Sequence, residues 1–151
     1  MTTMNWINQK IAAVGEVPAF SAEHQGLEKA RDRLGAVTMH LMQQGMSGNQ
    51  ELPVLHACDV LNLLGDVVIA TMLGEQAGIA HRRLDELAAE GGIDQGDPTA
   101  RKSWLEGNAD SRFYAGKEDN LRYFVHQFLP RTRGLLSAIT SPDRSVLDAV
   151  L

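Results

Sequence analysis

The five histidines are the side chains of this sequence that could take the largest number of functional roles, since imidazole can bind a metal, carry a proton or accept a phosphoryl group. A di-iron site in a helical bundle needs Glu-x-x-His pairs, and no glutamate precedes any of the five by three residues. His56 and Asp59 stand three apart and could face the same way on a helix. We interpret them as a histidine satisfied near a helix start rather than as metal ligands.

No motif for nucleophilic catalysis occurs in the sequence. Gly-x-Ser-x-Gly is absent, and the glycine-rich segment 91–96 follows a predicted helix rather than the strand that precedes a phosphate-binding loop. The single cysteine, Cys58, lies in an apolar stretch, so we predict a buried, unreactive thiol. One cysteine cannot form an intrachain disulfide, as is usual in the cytoplasm, where we expect this chain to be located. We therefore predict no catalytic, cofactor-binding or metal-binding residue.

Asn62 and Asp66 lie four residues apart, on one stripe of an otherwise apolar segment. Polar groups that are buried in such a segment need partners. We predict that arginines of a later helix supply them, chiefly Arg122 and also Arg112. The group could form a polar pocket or fix the register of two helices, and we favour the second interpretation because no other reactive side chain converges on it.

Basic residues are concentrated in the last third of the chain. Residues 1–100 hold 6 basic and 13 acidic residues (net −7), whereas residues 101–151 hold 8 and 6 (net +2). Either the basic part docks on an acidic or phosphate-bearing surface, or the two parts form complementary faces of one bundle, which we favour. Four cations could bind phosphates of a nucleotide or coenzyme A, but their spread around a helix indicates solvated charges: Arg112, Lys117, Arg131 and Arg133. No basic run or basic-aromatic stripe predicts nucleic-acid binding.

The elements that must position these residues are all predicted to be helices, because apolar residues recur at spacings of three and four and no alternating run suggests a strand. The predicted helices are Trp6–Val14, one from Ser21 to about Gly45, one from Glu51 to Ala89, one from about Ala109 to Ile139 that Pro130 kinks, and a short one after Ser141-Pro142 that ends at Leu151. The segment from Gly91 to Asn108 is predicted to be a loop.

The pattern predicts an all-α fold: an antiparallel, four-helix-like bundle of three long helices with short helices at each end, forming a single domain over residues 1–151. Ten of the fourteen residues in 60–73 are apolar, so we expect protein on most sides of this segment. Its polar interruptions make it too short for a membrane span. We interpret Gly65, Gly74 and Gly78 as sites of close helix packing.

The segment from Phe113 to Pro130 holds three of the four phenylalanines and both tyrosines. It resembles the closing motif of the extra C-terminal domain of long-form bacterial acyl-CoA dehydrogenases, which reads aromatic–x–x–Gly-Lys, a small residue, an arginine, aromatics and Leu-Pro. Those places are taken here by Phe113, Tyr114, Gly116, Lys117, Arg122, Tyr123, Phe124, Leu129 and Pro130. The segments 59–68 and 75–77 also resemble the family, and the resemblance extends over about residues 5 to 151.

This resemblance implies a function that the residues alone do not. The family oxidises acyl-CoA thioesters at the α,β bond with FAD, and its flavin site and catalytic base lie in other domains. The chain is therefore expected to be an accessory domain without activity of its own and without a cofactor. It would pack on the catalytic domains or on a second copy, and could close off the acyl-CoA entrance. Its candidate structural or docking residues are Asn62, Asp66, Arg112, Lys117 and Arg122.

An alternative interpretation is a standalone signalling, phosphotransfer or scaffold module built on a helical bundle. Phosphotransfer needs one exposed, nucleophilic histidine on a helix face, usually beside a lysine and a small residue. Only His81 and His126 have suitable positions, and neither has those neighbours. Phosphoryl transfer from acetyl phosphate to either ring would favour this alternative.

Overall fold

The computed structural model describes residues 2–143 and 145–149, and it contains no strand within those ranges. The α-helices are α1 (Thr3–Gly15), α2 (Ser21–Met46), α3 (Glu51–Leu55), α4 (Ala57–Gly91), α5 (Pro98–Gly107), α6 (Ala109–Tyr123) and α7 (Thr132–Ile139). A 3-10 turn, Pro18–Phe20, precedes α2, while a π turn, Phe124–Phe128, and a 3-10 turn, Leu129–Arg131, join α6 to α7. The predicted all-α, bundle-like fold is confirmed.

The long helix α4 is the centre of the arrangement and packs against α1, α2 and α6. Its buried side chains recur at helical spacing, as do those of the helices that face it. Burying one leucine or isoleucine of this kind contributes about 1.5–3 kcal/mol. The largest wholly buried side chains are Phe20, Ile7, Ile11, Leu27, Leu63, Leu84, Leu121, Leu129, Ile139, Val14, Val37 and Val67.

The predicted loop from Gly91 to Asn108 was wrong, because α5 lies within it. The helix begins at the pair Asp97-Pro98, where the Asp97 carboxylate accepts hydrogen bonds from the amides of Thr99 and Ala100 at 2.8 and 3.3 Å. An aspartate N-cap followed by proline in the first turn is a strong helix-start signal. Asn108 then caps α6 through the amide of Ser111 at 3.0 Å, so the predicted start of that helix is confirmed.

The predicted continuous helix from Glu51 to Ala89 is interrupted at His56, whose dihedrals (φ −96°, ψ 12°) separate α3 from α4. This turn allows Leu52 of α3 to be buried against α2 while α4 keeps its own apolar stripe in the core. The His56 ring lies 3.4 Å from the Asp59 carboxylate, as expected of a histidine satisfied at a helix start.

The helix predicted from Ala109 to Ile139 is interrupted between Tyr123 and Thr132, and Pro130, which has no amide hydrogen to continue the helical ladder, lies in that interruption. The predicted terminal helix was wrong for residues 141–143 and 145–149, which are irregular apart from a turn at 145–147. There the Ser141 hydroxyl accepts from the amide of Asp143, and the Asp143 carboxylate accepts from the amide of Ser145, both at 3.2 Å. Such local bonds compete with helix formation. Arg144, Val150 and Leu151 lie outside the described residues.

Of the three glycines predicted at close helix contacts in α4, only Gly74 fits that role. A Cβ atom on Gly74 would lie 2.7 Å from a Val14 methyl group, whereas one on Gly65 or Gly78 would meet nothing within 4 Å. A second close approach occurs at Gly26 of α2, where a Cβ would lie 2.5 Å from a Val125 methyl group. Both contacts set the distance between neighbouring helices.

Candidate docking surface

The outward side of α4 carries large apolar side chains that no other described element covers. The exposed fractions are 68% for Leu61, 48% for Ile69, 49% for Met72 and 52% for Ile79. At 100° per residue these four positions fall within about a quarter of the helix circumference. The expectation that protein lies on most sides of the segment 60–73 agrees with the structure, since ten of its fourteen residues are buried or half-buried. The exposed positions, which include Leu61, Ile69 and Met72, lie on one side of the helix.

Phe113 of α6, which is 59% exposed, extends this apolar stripe sideways. It lines a cavity of about 280 Å³ together with Ile79 and Lys117. Its ring meets Tyr114 edge to face at 5.4 Å, and the Lys117 ammonium lies 5.1 Å from the ring centre. We call Leu61, Ile69, Met72, Ile79 and Phe113 the α4–α6 face. An exposed aromatic side chain among aliphatic ones is typical of a protein-protein contact.

By length and composition α4 would also qualify as a membrane span, with a mean hydropathy of 1.6 over 18 residues. The sequence-based judgement that this region is too short and too polar was therefore too strict. Core helices of soluble proteins can have the same length and composition. A third of that window is buried in the fold, and α4 contacts α1, α2, α6 and α7.

Asp66 is buried as expected, but its partner is Arg131 rather than Arg122 or Arg112. The Arg131 guanidinium donates to both carboxylate oxygens, from Nε at 2.7 Å and Nη2 at 2.5 Å, and this contact raises the pKa of Arg131. The kink at Pro130 turns Arg131 back toward α4, which sequence spacing alone does not predict. Asn62 is exposed instead of buried and lines a cavity of about 370 Å³ with Arg131.

Arg122 belongs to a different cluster, formed around the buried carboxylate of Glu118. The Arg122 Nη2 atom lies 3.2 Å from Glu118, and the His81 Nδ1 atom lies 2.8 Å from it. Arg122 also approaches Asp119 at 3.3 Å and the Phe20 ring at 5.5 Å. The sequence interpretation missed Glu118, although its position three residues before Leu121 on the apolar stripe of α6 was a usable signal.

A second missed carboxylate is Glu23 of α2, which is buried and lies 2.9 Å from the His126 Nε2 atom. Both histidines considered for phosphotransfer are therefore held by buried carboxylates. Arg112 lies in the first turn of α6. It lines a separate cavity beside Pro98 and Leu105 of α5. The structure thus distributes the five candidate residues over several places and does not assemble them into one site.

The side chains that could perform catalysis or bind a metal do not converge in the part of the chain that is described. No group of three His, Cys, Asp or Glu residues there could hold a metal ion. Cys58 is exposed, so the predicted burial of its thiol was wrong. The α4–α6 face is accordingly the best candidate for a functional surface, and its chemistry is that of contact.

Comparison with known proteins gives one match. The family model described as "Acetyl-CoA dehydrogenase C-terminal like" matches residues 4–149, which is nearly the full chain. No curated protein and no solved structure matches the chain.

Proposed function

The chain belongs to the acetyl-CoA dehydrogenase C-terminal-like family and is an accessory domain of that enzyme class; we propose that it packs on the catalytic body of an FAD-dependent acyl-CoA dehydrogenase through its α4–α6 face. In this proposal the flavin and the base that removes the α-proton of the acyl-CoA belong to other domains. The chain itself contributes a packing surface for the catalytic body. We expect the enzyme to act in the cytoplasm.

The observation that carries the proposal is the exposure of the α4–α6 face. Four aliphatic side chains and a phenylalanine lie together on it, and each is about half exposed or more. Removing apolar surface from water contributes about 25 cal/mol for every Å², and the part that exceeds the entropic cost of association appears as affinity. Family membership supports a dehydrogenase catalytic body as the occupant. Lys117 at the edge could then pair with a carboxylate of that partner.

Replacing Met72 and Ile79 together with aspartate tests the proposed contact. We expect the affinity of the chain for a dehydrogenase catalytic body, expressed without its own C-terminal domain, to fall by about tenfold or more, since two charges would be desolvated at the contact. Isothermal titration calorimetry measures this. Met39 and Met46 of α2, which are 52% and 82% exposed, provide a matched control when both are changed to aspartate.

Equal weakening by the two double variants would show that contact does not occur through the α4–α6 face. Absence of any association with the catalytic body would contradict the proposed function as a whole. Sedimentation of the chain by itself tests the other occupant: a dimer that Met72→Asp with Ile79→Asp dissociates would assign the face to a second copy. Circular dichroism confirms that each variant remains helical.

A further inference from the structure

A cavity of about 250 Å³ lies between α2 and the turns that lead into α7, on residues that the α4–α6 face does not include. Three cationic side chains line it: Lys29 and Arg33, one helical turn apart on α2, and Arg133 in the first turn of α7. We call this cavity the basic pocket. Two separate segments of chain, 99 or more residues apart, therefore direct positive charge at one concavity.

Arg33 is held in place by a neutral partner. Its Nη1 atom donates to the Thr132 hydroxyl at 2.9 Å, and that hydroxyl donates to the Leu129 carbonyl at 2.7 Å. Thr132 is completely buried, so the guanidinium is oriented by a fixed hydroxyl. Because this contact carries no negative charge, it orients Arg33 without neutralising it.

The three cations of the basic pocket have no carboxylate partner within 4.0 Å among the described residues. Partial burial, together with the nearby charge of Arg133, lowers the pKa of Arg33, although an arginine stays protonated. The buried carboxylate closest in the chain, Glu23, is engaged by His126 at the rim. Positive charges that repel one another across a concavity are stabilised when an anion lies between them.

Apolar side chains form another part of the wall, which also includes Gln25 and His126. Val125, Leu129 and Pro130 line the same cavity, and Val125 and Leu129 are buried. Gly26 brings α2 against Val125, so the pocket is fixed by backbone packing. The wall leaves room for the organic part of a small ester next to the cations.

We propose that the basic pocket binds a phosphate group, carried either by a soluble phosphomonoester or by a lipid headgroup. A phosphate dianion matches this site because it offers several acceptor oxygens to two guanidinium groups and an ammonium group at once. Arg33 is the preoriented donor, and Lys29 and Arg133 close on the anion from opposite sides. The assignment is independent of the packing role proposed above.

Titration with three probes tests the assignment: inorganic phosphate, adenosine monophosphate, and vesicles that contain phosphatidic acid. Lys29→Gln combined with Arg133→Gln removes two exposed cations and spares Arg33, which supports the fold through Thr132. We expect saturable binding, followed by chemical shifts or calorimetry, that this variant weakens by about tenfold or more. Arg101→Gln combined with Lys102→Gln on α5 makes the same change in charge elsewhere and should leave affinity within about twofold.

Binding of both soluble probes supports a phosphomonoester, and binding of the vesicles alone, lost in the pocket variant, supports a lipid headgroup. Two results would overturn the assignment: no saturable binding of any probe at low ionic strength, or equal weakening by the pocket and α5 variants. The second would show that only the overall charge of the chain attracts anions. Heat denaturation of both variants excludes unfolding as the cause of any loss.

Discussion

In the part of the chain that the structure describes, three buried carboxylates connect the helices. Asp66 of α4 binds Arg131 beyond the kink, Glu118 of α6 binds His81 of α4, and Glu23 of α2 binds His126 in the π turn, each within 3 Å. A carboxylate withdrawn from water requires such a partner, because its desolvation costs several kcal/mol. Each pair therefore fixes the position of one helix relative to another.

The pair of Asp66 and Arg131 should be the most sensitive of these contacts. Arg131→Gln would leave a buried carboxylate without its two-point partner, and we expect the free energy of unfolding to fall by about 2–4 kcal/mol. Urea denaturation measures the loss. Arg122→Gln is the control, with an expected cost of about 1 kcal/mol or less, because Glu118 keeps His81 as a partner.

A double-mutant cycle separates the pair from its surroundings. Adding Asp66→Asn to Arg131→Gln should restore part of the stability, since the neutral amide no longer needs a cation. If Arg131→Gln cost no more than Arg122→Gln, the pair would have no special part in fixing the helices.

At the scale of elements, α4 has two different sides, one packed in the core and one exposed. One side carries small and branched residues that allow α1, α2 and α6 to approach, and the other carries the α4–α6 face. A helix that is apolar on all sides must be buried or must contact something further. Among the described elements α1, α2, α6 and α7 contact one side of α4, and the α4–α6 face stays exposed on the other.

Gly74 and Gly65 allow a comparison within α4. Alanine at Gly74 would place a methyl group 2.7 Å from Val14, a branched side chain with restricted rotation, and we expect a loss of about 1–2 kcal/mol. Alanine at Gly65 meets nothing within 4 Å and should stabilise the helix by up to about 1 kcal/mol. Thermal denaturation of the two variants measures the difference. A stability gain at Gly74 would refute the close contact with α1.

At the scale of the whole molecule, the uneven charge of the sequence is only partly neutralised by folding. Among the described residues, two acidic side chains of the first part pair with cations of the second: Asp66 with Arg131, and Glu23 with His126 when that ring is protonated. His81 and Glu118 join the two parts in the opposite sense. This supports the interpretation of complementary faces. Within the described ranges Lys29, Arg33 and Arg133 have no carboxylate partner, and theirs is the charge that the proposed phosphate group would neutralise.

The isolated chain should fold without its enzyme. Its core joins α1, α2, α4 and α6 around wholly buried aliphatic side chains, so we expect a cooperative thermal transition in circular dichroism. The purified material should lack the absorbance of a flavin and should not reduce an electron acceptor when given an acyl-CoA. Yellow material that oxidised the thioester would contradict the accessory role and require a flavin site within these residues.

The sequence by itself determined the helical class, the starts of α2 and α6, the interruption of the helix around Pro130 and the resemblance to the family. These features depend on neighbours within a few residues: spacing of apolar side chains, caps and proline. The same local information was available for α5 in the pair Asp97-Pro98, and its omission was an error of interpretation rather than of information.

Only the tertiary structure decided which arginine meets Asp66, which side of α4 stays exposed, and which cations share a pocket. Asp66 and Arg131 are 65 residues apart, and Arg33 and Thr132 are 99 apart, so each pairing depends on how far the π turn redirects the chain. The apolar content of a helix shows that it must be buried against other parts of the protein, but it does not show which elements bury it. That is settled by the mutual packing of α1, α2 and α6, in which the approach distances at Gly26 and Gly74 are fixed.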